Sequence, residues 1–476
     1  MHNHTKVILL KMFYRVIVAF MFWPFVSTNI GAQEARSGGI FIVGDVHIEG
    51  NKKTKAGIIL RELGFKKGDS LPQAGIGHIL QNAKQQLVNT SLFLSVSVDS
   101  SSLGSDSILV KIIVKERWYI FPAPVFSLAD RNFSVWWRQQ KRDLGRVSYG
   151  FSVDWNNVTG HNDHFIVALQ TGYSKSWAVL YNRPNIGRGR QHEIGFRYSY
   201  TRDREVNYAS MLNRKSFVSN NNFLRKLQEF RAYYSFRKNI YTRHYLSAGY
   251  TAEQVGDTIA SLNPEYFGSG KTTIGYSELT YRFSYNNTNN VQYPLTGRVF
   301  SLEILRNGLL PRDGINLTQL KVDAGLFLKL FRKTYFNSVV GGKIFLPKQQ
   351  PFVRFRGLGY NDKELVRGLD EYVLDGNAYA ILKANLKREL LSFNTTIKLL
   401  PRSFRKVPIQ IFVKSLFDVG YVNNHNPGNN TLVNRWLFTY GAGIDVVSYY
   451  DMNMTFEYNF NQWMEQGLFF RIKFGR

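Results

Sequence analysis

The sequence predicts an all-β transmembrane barrel of about 16 antiparallel strands, preceded by one small α+β domain in the order β-α-α-β-β. Three observations carry that expectation. Long segments after Val147 alternate strictly between apolar and polar residues, and the apolar positions are rich in aromatics. Beyond the N-terminus no segment offers the ~20 unbroken apolar residues of a transmembrane helix, so any membrane-spanning part must be β. Between the N-terminus and the alternating region the apolar spacing turns helical and then reverts to that of strands.

The chain opens "MHNHTKVILLKMFYRVIVAFMFWPFVSTNIGAQEA". Lys6, Lys11 and Arg15 precede an apolar run from Val16 to Val26, and Ile30 and Ala32 suit the positions before a cleavage site. Residues 1–32 therefore read as an export signal, the apolar run being too short for a membrane anchor.

From Phe41 the order is a strand, "FIVGDVHIEGN", and a helix, "TKAGIILREL". A second helix follows with Ile76, Ile79, Leu80, Ala83 and Leu87 at helical spacing, then strands at Phe93–Val98 and Ile108–Val114. Two helices covering a three-stranded sheet make one small soluble domain over residues 41–117. Val46, Ile48, Gly50, Asn51 and Thr54, then Leu87, Asn89, Thr90 and Phe93, then Val114, Glu116 and Arg117 resemble the pattern of a POTRA (polypeptide-transport-associated) domain. The resemblance implies a periplasmic domain that binds unfolded client chains or accessory lipoproteins at a sheet edge, a mode with a physical basis in strand addition.

Residues 118–146 read as an aromatic and basic linker, with Trp118, Tyr119, Phe121, Phe126, Phe133, Trp136 and Trp137 beside Arg138, Lys141 and Arg142. Such a stretch suits either the membrane headgroup layer or a packed interdomain connection.

The barrel is expected over residues 147–476. "SYGFSVDWNN" sets Tyr149, Phe151, Val153 and Trp155 against Gly150, Ser152, Asp154 and Asn156. "DMNMTFEYNFN" sets Met452, Met454, Phe456, Tyr458 and Phe460 against Asn453, Thr455, Glu457 and Asn459. A soluble sandwich would turn the apolar face inward, whereas a membrane barrel turns it to lipid and the polar face to the lumen. At about 20 residues per strand and connection the segment holds roughly 16 strands. Clusters such as "NNTNN" and "NNHNPGNN" supply turns.

One stretch breaks the alternation: Arg367 stands between Val366 and Gly368, with Leu369 after it. "VRGL", the following "DGNAYAILKANL" and "SLFDVGYV" at Ser415–Val422 resemble the outer-membrane assembly insertase superfamily of BamA, TamA and mitochondrial Sam proteins. The resemblance implies that Arg367 lies on a loop folded into the lumen and that Asp418 is its acidic partner. A guanidinium in a confined lumen needs such a partner to offset desolvation. Leu369 departs from the family's usual aromatic, Asn385 stands where many members place a glutamate, and Arg476 replaces a terminal aromatic.

Lys and Arg total 61 against 34 Asp and Glu, a net charge of +27. That balance suits nucleic acid, an anionic membrane or a basic lumen. The period-two aromatics favour the barrel and argue against nucleic acid. With no cysteine there is no disulfide or thiolate chemistry. "HNDH", His161–His164, reads as a turn rather than a metal site, and no Ser/His/Asp set has supporting context, so neither catalysis, cofactor nor metal is expected.

The leading expectation is a non-enzymatic protein in the outer membrane of a Gram-negative-type bacterium that assembles or translocates unfolded client polypeptides. Its lateral seam is expected between a first strand carrying Gly150, Ser152 and Asp154 and a last strand carrying Phe469, Arg471 and Lys473. A two-partner-secretion-type transporter and a passive porin-like channel are the alternatives.

Overall fold

The computed structural model describes residues 39–104, 106–128, 141–187, 189, 191–396, 406–448 and 452–473. The expected export signal, Phe133, Trp136, Trp137 and Arg138 of the expected linker, and Arg476 lie outside the described residues.

The N-terminal domain comprises β1 (Ile40–Glu49), α1 (Ala56–Arg61), β2 (Ser70–Pro72), α2 (Ile76–Asn89), β3 (Phe93–Ser102) and β4 (Ser107–Glu116). Its sheet runs β2-β1-β4-β3, with β1 parallel to β4. The three-residue β2 adds a fourth strand to the expected three, and it is too short to show a period. The helical spacing read from the sequence is the buried face of α2: Leu80, Ala83 and Leu87 pack against Ile58, Ile59, Val110 and Ile112. Each large aliphatic side chain fully buried there contributes about 1.5–3 kcal/mol. Gly50 lies at φ +89°, where an added Cβ would meet the Val114 carbonyl oxygen at 2.0 Å, so only glycine fits the turn after β1. Glu116 then holds that turn, its carboxylate accepting from the Thr54 amide at 2.7 Å and the Lys53 amide at 3.1 Å.

Among the described residues sixteen strands form one antiparallel sheet. They are β5 (Ile120–Leu128), β6 (Val147–Asn156), β7 (His164–Gly172), β8 (Lys175–Ile186), β9 (His192–Asp203), β12 (Arg225–Phe236), β13 (Thr242–Val255), β14 (Thr273–Asn286), β15 (Gly297–Asn307), β16 (Leu317–Phe331), β17 (Thr334–Leu346), β20 (Ala378–Thr396), β21 (Lys406–Asn423), β22 (Trp436–Val447), β23 (Asn453–Asn461) and β24 (Gln466–Lys473). The hairpin β10 (Glu205–Met211) and β11 (Arg214–Ser219) stands on one connection, α3 (Asp257–Leu262) on another, and the pair β18 (Arg356–Leu358) and β19 (Leu374–Asp375) on a third. All three connections leave the end of the barrel remote from the N-terminal domain.

The faces are inverted relative to a soluble sheet. On β23, Phe456 and Tyr458 are each 43% exposed, while Glu457 and Asn459 are 2% and 0% exposed. The apolar side chains thus form the outer wall and the polar ones the inner wall, the arrangement a bilayer demands.

The barrel begins earlier than the sequence reading placed it. Residues 120–128, read as linker, are its first strand, β5, paired with β6 from Ile120↔Trp155 to Leu128↔Val147. Pro122 and Pro124 hide this strand in the sequence, because proline in a strand pattern ordinarily argues against a strand away from an edge. An edge is where β5 lies. The sheet ends at β5 on one side and β24 on the other, and among the described residues no ladder joins the two.

Candidate functional site in the barrel lumen

The connection from β17 to β20, residues 347–377, starts at the remote end of the barrel and turns back into it. Two apolar side chains pin it. Val366 and Leu369, each 2% exposed, pack in a cluster with Leu358, Leu374, Val422 and Leu437. Gly420, of the "FDVG" stretch, leaves room for Val366: a Cβ there would meet Val366 Cγ2 at 2.6 Å. Gly368 adopts φ +87°, which lets the chain reverse beside the β22–β23 wall. Leu369 serves as a pin of this apolar cluster.

Between those pins Arg367 reaches the inner wall. Its backbone amide and its Nε donate to Asp418 Oδ2 at 3.0 and 2.9 Å, and its Nη2 donates to Asp418 Oδ1. Asp418, on β21, is fully buried. Nη1 donates to Asn385 Oδ1 on β20 at 2.6 Å and lies 3.5 Å from Glu457 Oε1 on β23. The fold places Val366, Arg367, Gly368 and Leu369 on the folded-back connection and sets Arg367 against Asp418. The second carboxylate comes from β23, so the asparagine at 385 does not leave the cage short of an acid.

Glu457 is the hub of a wider network that sequence reasoning missed. It pairs with Lys414 at 2.7 Å and, through Oε2, with Arg471 at 2.5 Å. Lys414 continues to Asp445 at 2.7 Å, which also accepts from Tyr293 at 2.8 Å and lies 3.5 Å from Lys387. Arg471, on the edge strand β24, reaches back to the loop through Asp370. Alternation marks the strand residues Glu457, Lys414, Asp445, Lys387 and Arg471 as lumenal, but it does not say which strands stand close across the loop, and Tyr293 and Asp370 lie on connections that carry no period. A separate anchor holds the limb that enters the barrel. Glu364 accepts from Lys321 at 2.8 Å and from Tyr379 at 2.7 Å.

The seam residues divide. Phe469, Arg471 and Lys473 do lie on the last strand. Gly150, Ser152 and Asp154 do not lie on an edge: they belong to β6, which is paired on both sides, to β5 and to β7. The misplacement follows from the hidden first strand. Gly150 could not carry a side chain in any case, since a Cβ would stand 2.0 Å from the Leu169 carbonyl oxygen. Among the described residues no group of three or more His, Asp or Glu is placed to hold a metal ion.

Residues 41–117 match the family model described as POTRA, surface antigen variable number repeat. This segment is a POTRA domain. Among solved structures, the chain is similar to BamA from Haemophilus ducreyi lacking POTRA domains 1-3, with 15% identity, a TM-score of 0.50, and coverage of 91% of this chain and 84% of that one. It is similar to CdiB from Acinetobacter baumannii at 13% identity and a TM-score of 0.51, covering 91% of this chain and 73% of that one. CdiB from Escherichia coli aligns at 11% identity with a TM-score of 0.50, covering 94% and 92%. No curated protein matches. At such identities the likeness is one of fold: a POTRA domain leading into a 16-stranded barrel. With the POTRA match, it supports an outer-membrane assembly and translocation superfamily.

The POTRA domain is docked on the near end of the barrel. Thr54 accepts from Asn157 Nδ2 at 2.9 Å and lies 3.0 Å from the Tyr119 hydroxyl. The Lys55 amide donates to the Gly160 carbonyl at 3.0 Å. On the other flank Arg237, from the β12–β13 turn, makes a two-pronged contact with Glu62 at 2.8 and 3.0 Å. POTRA and barrel together line a cavity of about 2100 Å³, with Arg117 and Trp118 on one side and Ser152, Asp154, Glu193 and Lys473 on the other.

Burial of Glu62 opposes its ionisation, yet Arg237 and Arg61 outweigh that and hold the carboxyl below its ordinary range. A lowered carboxylate contributes fully above its free value, about 4.3, and is lost as pH falls through the lowered one. The POTRA domain should therefore stay docked at neutral pH and loosen only as pH falls below the ordinary glutamate range. Amide exchange in the turns 157–163 and 237–241 reads this directly. Arg237→Ala should raise exchange there at neutral pH, since truncating one partner of a buried charge pair costs about 2–5 kcal/mol. Unchanged exchange in that variant would remove the pair from the docking interface.

Proposed function

We propose that this chain is a non-enzymatic outer-membrane protein that assembles or translocates client polypeptides. Its POTRA domain stands in the periplasm and receives them, together with accessory lipoproteins where these take part. Clients then enter the lipid or cross the membrane at a lateral seam between β5 and β24. The observation that carries this reading is the shared cavity: the domain suited to binding extended chains opens directly into the lumen beside both edge strands. A passive channel is disfavoured by the folded-back loop, which several ion pairs hold across the interior.

Deleting residues 41–117 tests the reading. The expected product is a barrel that still shows heat-modifiable migration but no longer supports its client in a complementation assay, with client levels in the outer membrane falling to those of a null strain. Full complementation by the barrel alone would exclude the POTRA domain as receiver.

A further inference from the structure

The two edges of the sheet are chemically unequal. In an antiparallel ladder alternate residues turn their N–H and C=O to one neighbour and then the other. The Asn156 amide donates to the Tyr119 carbonyl at 2.7 Å, and Tyr119 stands opposite Asn156 by the register of β5 and β6. The odd-numbered residues of β5 therefore bond β6, and Ile120, Pro122, Pro124, Phe126 and Leu128 turn their backbone groups to the free edge. Two of those five positions lack an N–H altogether. A third is occupied, because the indole N–H of Trp118 donates to the Ile120 carbonyl.

On the opposite edge the Asn461 amide donates to the Glu465 carbonyl at 3.0 Å, in register with the β23–β24 ladder. By the same alternation Gln466, Leu468, Phe470 and Ile472 of β24 face outward, and each has both N–H and C=O. Leu468, Phe470 and Ile472 point to lipid, being 75%, 54% and 45% exposed.

Resting on the seam reading above, we propose that the seam is one-sided: Pro122, Pro124 and Trp118 blunt β5 so that it does not zip onto β24, and β24 is the edge that pairs an entering client segment. The segment it fits is an extended strand with apolar residues every second position, since it continues the sheet with its apolar side chains in the plane of Leu468, Phe470 and Ile472. Prolines on an edge strand are a known way to prevent edge-to-edge pairing. Here they act within one molecule, at its own closure.

Two measurements on the full chain in liposomes test this. In the double variant Pro122→Val, Pro124→Val, two restored donors should let the strands zip, slowing amide exchange at Leu468, Phe470 and Ile472 by about tenfold or more. The single variants should fall between. Unchanged exchange in the double variant overturns the inference while leaving the proposed function intact. Second, a photo-crosslinking residue is placed at Phe470 or at Phe126, and a small unfolded outer-membrane barrel protein is added as the probe. Crosslinks several-fold stronger at 470 than at 126 support one-sidedness, whereas equal or reversed yields overturn it. If neither position crosslinks although the probe still folds into the membrane, the seam of the proposed function fails, and the exchange result alone then decides how the edges behave.

Discussion

Arg367→Ala is expected to abolish client assembly while the barrel itself still forms. Asp418 is wholly buried and takes three hydrogen bonds from this one residue, two of them from the side chain. Truncation leaves Asp418 uncompensated and withdraws a cation from Glu457, a loss of about 3–5 kcal/mol for a buried pair broken on one side. The strands keep their ladders, so heat-modifiable migration should persist. The turn at residues 366–369 is released, and with it the link through Asp370 and Arg471 that ties the loop to the edge strand β24. Asp418→Arg should reproduce the defect, and Asp418→Asn should weaken it, since the amide keeps one acceptor. A complementation assay, with migration on semi-native gels as the check on folding, reads both properties. Wild-type complementation by Arg367→Ala would show that the anchored loop has no part in function.

Much of the architecture was legible because a membrane barrel writes its faces into the sequence with period two. The alternation of Met454, Phe456 and Tyr458 with Thr455, Glu457 and Asn459 needs no structure to be read as a two-sided wall. The 3.6 period of Ile76, Ile79, Leu80, Ala83 and Leu87 likewise marked the buried face of α2. What was illegible falls into two physical kinds. Local signals failed where residue chemistry served the edge instead of the strand: Pro122 and Pro124 suit an unpaired flank and so concealed β5, which shifted the first strand by one. Long-range signals failed because pairing across a lumen depends on which strands face each other. Arg367 and Asp418 could be joined by motif resemblance alone, but Glu457, Lys414, Asp445 and Asp370 have no spacing that announces them. Their proximity is a property of the closed wall.

Locking the seam should have an effect as large as removing Arg367, and it bears most directly on whether clients pass between β5 and β24. The chain contains no cysteine, so an engineered pair is unambiguous. One cysteine is scanned over Phe121, Ala123 and Val125 of β5, and the other over Phe469 and Lys473 of β24. The scan is needed because no ladder fixes the register between the strands among the described residues, and Arg471 is left intact for its bonds to Glu457 and Asp370. A disulfide forms only where the Cα atoms come within about 7 Å, so formation reports the approach of the edges. The account predicts that the oxidised protein remains folded and heat-modifiable but delivers no client, and that reductant restores delivery to the level of the cysteine-free chain. An oxidised, fully cross-linked barrel that delivers client at the same rate as its reduced form would contradict it.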